Sequence, residues 1–203
     1  MGSLAIYLIP LGDFQEDHLK ILAEHVEAQF SLPVKIGGRL QIPACAVDPG
    51  RNQVNSNIIL KQLCEVAPPD ALKVLGVVDL DLFNPIFSFV YGEAQFEGRC
   101  AVVSTYRLHG ERDEKKPRRI SPVLLRLEKE AVHELGHTFG LRHCSDRHCV
   151  MHFSPGLDSV DRKFPYTCQT CQDLLMWLIA RELERQPSDE PACPPPSLPL
   201  RSG

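Results

Sequence analysis

"HELGHTFGLRH", residues 133–143, carries three histidines and one glutamate in eleven positions. His133 and His137 are four apart, so on a helix both rings leave the same face one turn from each other. That spacing lets two imidazole nitrogens reach one zinc ion at about 2.0–2.1 Å. Gly140 permits the left-handed conformation that ends a helix, so the chain can swing round and deliver His143 as a third ligand. Three neutral nitrogens leave the ion doubly charged with one position for water, whose pKa then falls to about 7. Glu134 sits beside the first histidine and projects toward that open side. It is within reach to take the water's proton and later hand it to a leaving amine. The reaction this machinery suits is hydrolysis of a peptide or related amide. A lone histidine is more often a core or surface residue, and His18, His25 and His109 are read that way; His148 and His152 lie near the site, where either is a supporting group or an accident, and accident is the reading taken. Five specified positions in one window, closed by a glycine, call for the metal.

Working outward, "SPVLLRLEKEAVHELGHTFG" (121–140) reads as one helix, with Ser121 as N-cap, Pro122 at the first helical position and Gly140 as terminator. Upstream, "LAIYLIPL" (4–11) reads as a buried strand, and 13–30 as a helix burying Leu19, Leu22, Ala23, Val26 and Phe30, with Asp13 as cap. A short strand and a Gly-Gly turn follow. Residues 51–66 read as a helix with Val54, Ile58, Leu60 and Leu63 inward. "ALKVLGVVDLDLF" (71–83) has the nearly unbroken apolar character of a central strand buried on both faces. "IFSFVYGEAQF" and "GRCAVVSTYRL" read as two more strands joined through a glycine turn, antiparallel to each other. Strands alternating with helices argue for an α/β fold with a mixed sheet. Residues 110–119 read as a charged loop, the chain past 143 as irregular, and 171–186 as a final amphipathic helix. The last stretch, 187–203, is too rich in proline to build a core and reads as a disordered tail.

The 203 residues and 43% hydrophobic content are those of an ordinary globular chain. A net charge of −4 gives no electrostatic reason to expect nucleic acid or an anionic membrane as partner. The basic group Lys115, Lys116, Arg118 and Arg119 is broken by Pro117 and reads as a solvated loop. The first apolar run has no basic segment before it, and it is too short to span a bilayer. The cytoplasm is therefore the expected compartment.

Of the eight cysteines, Cys45, Cys64, Cys100 and Cys193 are scattered singly. The other four cluster: Cys144 directly follows the third histidine, Cys149 lies five residues on, and "CQTC" adds Cys168 and Cys171. Two such pairs match a closed tetrahedral zinc site of the structural kind, contributing folding free energy. Two disulfides or four free thiols are the alternatives.

"HELGHTFGLRH" followed at once by Cys144, then "CVM" and a later "CQTC", resembles the archaemetzincins, a branch of the metzincin metallopeptidases. The three histidines, glutamate and glycine are the wider metzincin pattern, and the added cysteines point to this branch. The resemblance runs from about residue 4 to 184 and includes "FVYGEA". It implies a twisted mixed sheet with packed helices. Residues 1–186 would form a single catalytic domain, with an upper subdomain over about 1–140 and a smaller, irregular lower one over about 141–186 that ends in a helix. It implies catalytic zinc on His133, His137 and His143, with Glu134 as base. A second, structural zinc would sit on Cys144, Cys149, Cys168 and Cys171. Met151 would be the methionine of a turn beneath the first site, packing there without coordinating, and Gly140 its supporting stop. In metzincins the strand nearest the cleft pairs with an extended substrate; here 87–96 is the candidate, through Phe89, Val90 and Tyr91. The expected partner is a peptide or protein substrate, and the expected state a monomer. The alternative is a zinc-containing peptide-binding protein with weak or no turnover.

Overall fold

The computed structural model describes residues 3–110 and 122–184. Strand β1 (Ala5–Pro10) comes from the first apolar run. Helix α1 (Glu16–Phe30) follows and buries Leu19, Leu22, Val26 and Phe30 at helical spacing. Asp13 is not its cap: the helix starts three residues later, after Gln15, without a side-chain cap. Arg39 organises this entry instead, donating to the carbonyls of Gly12 and Phe14 and pairing with Glu16.

Strand β2 (Val34–Ile36) is the expected short strand, and β3 (Val47–Asp48) and β4 (Gln53–Asn55) form a hairpin. Helix α2 (Ser56–Val66) therefore begins later than position 51, and Val54 belongs to a strand. The physical reason is Asn55, whose side-chain oxygen accepts the Asn57 N–H at 3.0 Å and caps the helix there.

The apolar run 71–83 is likewise divided, into β5 (Ala71–Val78) and β6 (Leu82–Phe83). Asp81 turns the chain between them: Arg107 donates to its carboxylate at 2.6 Å, and Gln53 at 2.9 Å. Strand β7 (Gly92–Ala94) is much shorter than 87–96, and it pairs antiparallel with β8 (Cys100–Ser104) as expected. Asn84 causes the shortening, because its side-chain oxygen accepts the N–H groups of Ile86 and Phe87 and holds a turn. Helices α3 (Pro122–Phe139), α4 (Leu157–Arg162) and α5 (Gln169–Glu184) complete the chain. The Ser121 cap, the charged segment 111–119 and the proline-rich 187–203 lie outside the described residues.

The main sheet has the order β2-β1-β5-β8-β7. Its first four strands run parallel, and β7 closes one edge antiparallel to β8. A smaller sheet has the order β3-β4-β6. One core lies between the main sheet and α1, α3 and α5, and includes Phe30, Leu75, Leu127, Leu135 and Met151. The other lies under α2 and includes Ile59, Leu63, Val74 and Val102. One residue of β5 breaks the apolar pattern. The Lys73 ammonium is buried, donates to the carbonyls of Gly98 (2.8 Å) and Thr138 (3.0 Å), and pairs with Glu182 at 2.5 Å. It places a cation at the C-terminal end of α3, where the helix dipole favours one, and ties α5 to the central strand. Among the described residues no helix is long and apolar enough to cross a membrane.

Candidate active site

Helix α3 is amphipathic until its last turns, where it becomes buried nearly all round: Lys129 to Gly136, Thr138 and Phe139 are all inaccessible. It ends as the glycine demands. Gly140 has φ 103°, its N–H donates to the His137 carbonyl, and the Leu141 N–H donates to the Gly136 carbonyl. These two bonds define a Schellman motif. They fold the chain back so that His143 returns to His133 and His137.

The three rings converge. Ring centroids lie 4.6 Å (His133–His137), 5.3 Å (His133–His143) and 4.9 Å (His137–His143) apart, and one nitrogen from each falls within 4.8 Å of the others. His133 Nδ1 donates to the Val150 carbonyl at 2.8 Å, and His137 Nδ1 to the Leu141 carbonyl at 2.7 Å. Those bonds commit the proton to Nδ1 and leave both Nε2 lone pairs facing inward, 3.1 Å apart. Two donors on a tetrahedral zinc stand about 3.3 Å apart, so the gap is the right size. Burial lowers the pKa of all three histidines, that of His133 furthest, and the Lys163 ammonium adds to the effect. All three are thus held neutral, the form that binds a metal.

Glu134 is buried beside them. Burial pushes its carboxyl pKa well above the usual range, the neighbouring Glu130 and Glu93 push it further, and Lys163 opposes them. Lys163 itself is fully enclosed and donates to Glu130 at 2.8 Å. That buried pair, unforeseen from sequence, joins α3 to the segment after α4. Its signal was weak, since neither residue stands out in a chain with 24% charged residues.

Beneath the histidines, Met151 is fully buried. A Cβ on Gly136 would lie 2.6 Å from the Met151 sulfur, so a larger residue there would displace the thioether that packs against α3 between the two helical histidines. A glycine inside a helix costs about 1 kcal/mol relative to alanine, which was the sequence signal for a close approach there.

The four clustered cysteines also converge, with their sulfurs within 4.8 Å of one another. Cys144 and Cys168 sulfurs stand 3.9 Å apart, far beyond a disulfide's ~2.05 Å and close to the roughly 3.8 Å expected of two thiolates on one zinc. Cys144, Cys149, Cys168 and Cys171 carry no disulfide, so disulfides are not what holds this region. Burial pushes the Cys149 thiol up to about 11 and the Cys171 thiol further, while the Cys171 backbone N–H holds Cys168 below its usual value. Four thiolates at this spacing require a cation. Cys149, Val150 and Met151 serve both clusters in succession: a thiol, the carbonyl for His133, and the sulfur under α3. His152, read as a bystander, holds the Cys144 carbonyl through Nδ1 at 2.8 Å.

Of the suggested substrate residues, Phe89 and Val90 lie outside β7. Phe89 is packed between the Arg107 guanidinium (4.2 Å) and the Tyr91 ring (5.6 Å), and Val90 bridges to Leu82. Tyr91 enters the sheet's margin, its carbonyl accepting the Ser104 N–H. The edge open to a further strand is therefore Gly92–Ala94.

Zinc fits both clusters. Three converging imidazoles, two of them one turn apart on a helix whose buried Glu134 packs against an edge strand, are the arrangement of the zinc metallopeptidases, hydrolases of peptide bonds. Comparison with known proteins resolves the family within that class. Residues 15–176 match the model of Peptidase family M54, and the chain belongs to that family. The archaemetzincin of Thermococcus kodakarensis is 37% identical over 177 residues, spanning 84% of this chain and 95% of the relative. The solved archaemetzincin from Methanopyrus kandleri superposes with a TM-score of 0.75 at 36% identity, covering 90% of this chain and 97% of that one. A second, from Archaeoglobus fulgidus and complexed with malonate, gives 0.71 at 34% identity over 84% and 99%.

Proposed function

We propose that this metallopeptidase cleaves an extended peptide laid along β7, with Glu134 as general base and His133, His137 and His143 as the holders of catalytic zinc. The observation that carries this reading is the buried Glu134 carboxyl beside three neutral, converging imidazoles. When bound, zinc supplies a Lewis acid that polarises the scissile carbonyl and makes water acidic. Glu134 takes the proton of the attacking water and returns it to the leaving amine. The unpaired edge of β7 adds the substrate as a further strand. Tyr91, at its start, is the remaining candidate contact of the three expected from sequence, with Phe89 and Val90 acting as props behind it. Met151 is the floor of the histidine site and Gly140 the stop that brings His143 home. The four cysteines hold structural zinc.

Supporting the alternative of a peptide binder without turnover would require cleavage to be indifferent to the base. Comparing the wild type with Glu134→Ala on a peptide library decides this. We expect a loss in kcat of about 10²–10⁴-fold at unchanged zinc content; equal cleavage by the two proteins would remove the catalytic claim.

Residues 1–186 are proposed to act as one catalytic domain divided near residue 140. The cleft would lie between the sheet with α3 and the segment from 141 on. A monomer in the cytoplasm, binding neither nucleic acid nor membrane, is the cellular setting we propose. The free thiols fit a reducing compartment, and the net charge of −4 fits the absence of polyanionic partners. Sedimentation at the monomer mass and fractionation with soluble cell contents are the expected results.

A further inference from the structure

Strand β7 is three residues long, lies at a sheet edge, and opens on a glycine. Glycine weakens a strand, through its backbone entropy and the lack of a side chain to pack, and so marks either an unusual conformation or a close approach. Gly92 is not among the residues with positive φ, so its backbone makes no demand for glycine. Close approach is the reason. A Cβ at position 92 would lie 2.6 Å from Glu134 Cγ and 2.9 Å from Glu134 Cδ, both far inside van der Waals contact. It would also lie 2.7 Å from the Val102 carbonyl oxygen on the neighbouring strand. Alternation along the strand explains the facing: Gly92 points to α3, while Glu93 points to the other side and accepts a hydrogen bond from Ser56 in α2.

We propose that Gly92 is a positioning residue for Glu134: the bare backbone of β7 is the surface on which the glutamate stem lies. The proposal rests on Glu134 being the general base. Glu134 is only 7% exposed, so a shift of its side chain moves it against buried neighbours rather than into solvent. Its stem is clamped between its own helix and the strand. The clamp fixes where the carboxyl stands relative to both the imidazoles and the edge to which substrate adds. A methyl group at position 92 forces the carboxyl away from the strand by the better part of an ångström. Proton transfer in a site of this kind loses about 100-fold for a displacement of that size. The same glycine thus couples two things that are separate in sequence, the substrate-side strand and the base on the helix.

The test is a double-mutant cycle of Gly92→Ala and Glu134→Ala on the zinc-loaded full chain, read by melting temperature, with kcat, KM and zinc per chain measured for Gly92→Ala alone. Alanine at position 134 lacks both the Cγ and the Cδ that a Cβ at position 92 would strike. We expect Gly92→Ala in the wild-type background to lower kcat about 100-fold. KM should stay within about twofold and zinc at its wild-type level. The drop in melting temperature caused by Gly92→Ala should shrink by about half or more in the Glu134→Ala background, where only the Val102 contact remains. An equal drop in both backgrounds overturns the proposal and assigns the glycine to the Val102 contact. So does a rise in KM at constant kcat, which assigns it to substrate pairing. Should Gly92→Ala fail to accumulate as folded protein, recovery of folded protein on adding Glu134→Ala supports the clamp, and failure of both overturns it. The base reading fails separately, if Glu134→Ala cleaves as the wild type does.

Discussion

His143 and Cys144 are neighbours in the chain, yet each belongs to a donor cluster held by a different kind of structure. The histidine cluster is built on the end of a regular helix. Two of its members sit on α3, whose turn is fixed by the Schellman bonds at Gly140, by Lys73 on the Thr138 carbonyl, and by close burial. The Nδ1 atoms of those two are anchored to backbone carbonyls. The cysteine cluster has a frame of irregular backbone instead: the Cys144 N–H donates to the Met151 carbonyl, the Cys149 N–H to that of Asp146, and His152 holds the Cys144 carbonyl. Cys144 and Cys149 lie on irregular chain and Cys168 just ahead of α5, where Cys171 occupies the first turn. There burial against the main core raises the cost of ionising Cys149 and Cys171. A metal at the first site is an instrument of chemistry. At the second it is part of the fold.

That contrast can be broken in order of effect. Cys149→Ser should be the most damaging, because a structural zinc site contributes on the order of 10 kcal/mol. We expect loss of one zinc per chain, a large drop in melting temperature, and fast hydrogen exchange over 143–184 with α3 still protected. Protection unchanged over 143–184 would show that the irregular segment folds without its cation. Next comes Lys163→Met, which strands Glu130 in the core and should cost about 3–5 kcal/mol by denaturant unfolding. Adding Glu130→Leu should recover most of that, since the penalty belongs to the orphaned charge. Gly140→Ala places a Cβ at φ 103° and should cost about 1–2 kcal/mol. Its larger consequence is functional: His143 is displaced, so zinc content should fall from two to one per chain. Smallest in stability is His143→Ala, at an exposed position, with about 1 kcal/mol expected. It should nevertheless lose the catalytic zinc and peptide cleavage, as measured by metal analysis and turnover. A melting temperature lowered as far as in Cys149→Ser would erase the distinction between the two sites.

Much of the chemistry was legible in the linear chain because it depends on local rules. The i, i+4 spacing of His133 and His137 puts both rings on one face in any helix. Gly140 stops that helix wherever its neighbours lie, and the pairing of cysteines survives any arrangement of the remaining fold. Errors came where a polar side chain outweighed an apolar pattern. Asn55 capped α2 late, Asn84 bent the chain ahead of β7, and Asp81 divided the run 71–83. Each is a bond from a side chain to a nearby backbone or to a distant partner, which a count of apolar residues does not register.

By itself, then, the sequence determined which atoms can bind metal and at what spacing, because helix period and glycine conformation act over a few residues. Only the tertiary structure decided how those atoms are supported. Lys73 reaching the end of α3, Lys163 sealed against Glu130, and Gly92 lying bare under Glu134 join residues 33 to 65 positions apart. Such contacts follow from how helices and strands stack into dense cores, and packing of that kind has no signature in any single stretch of chain.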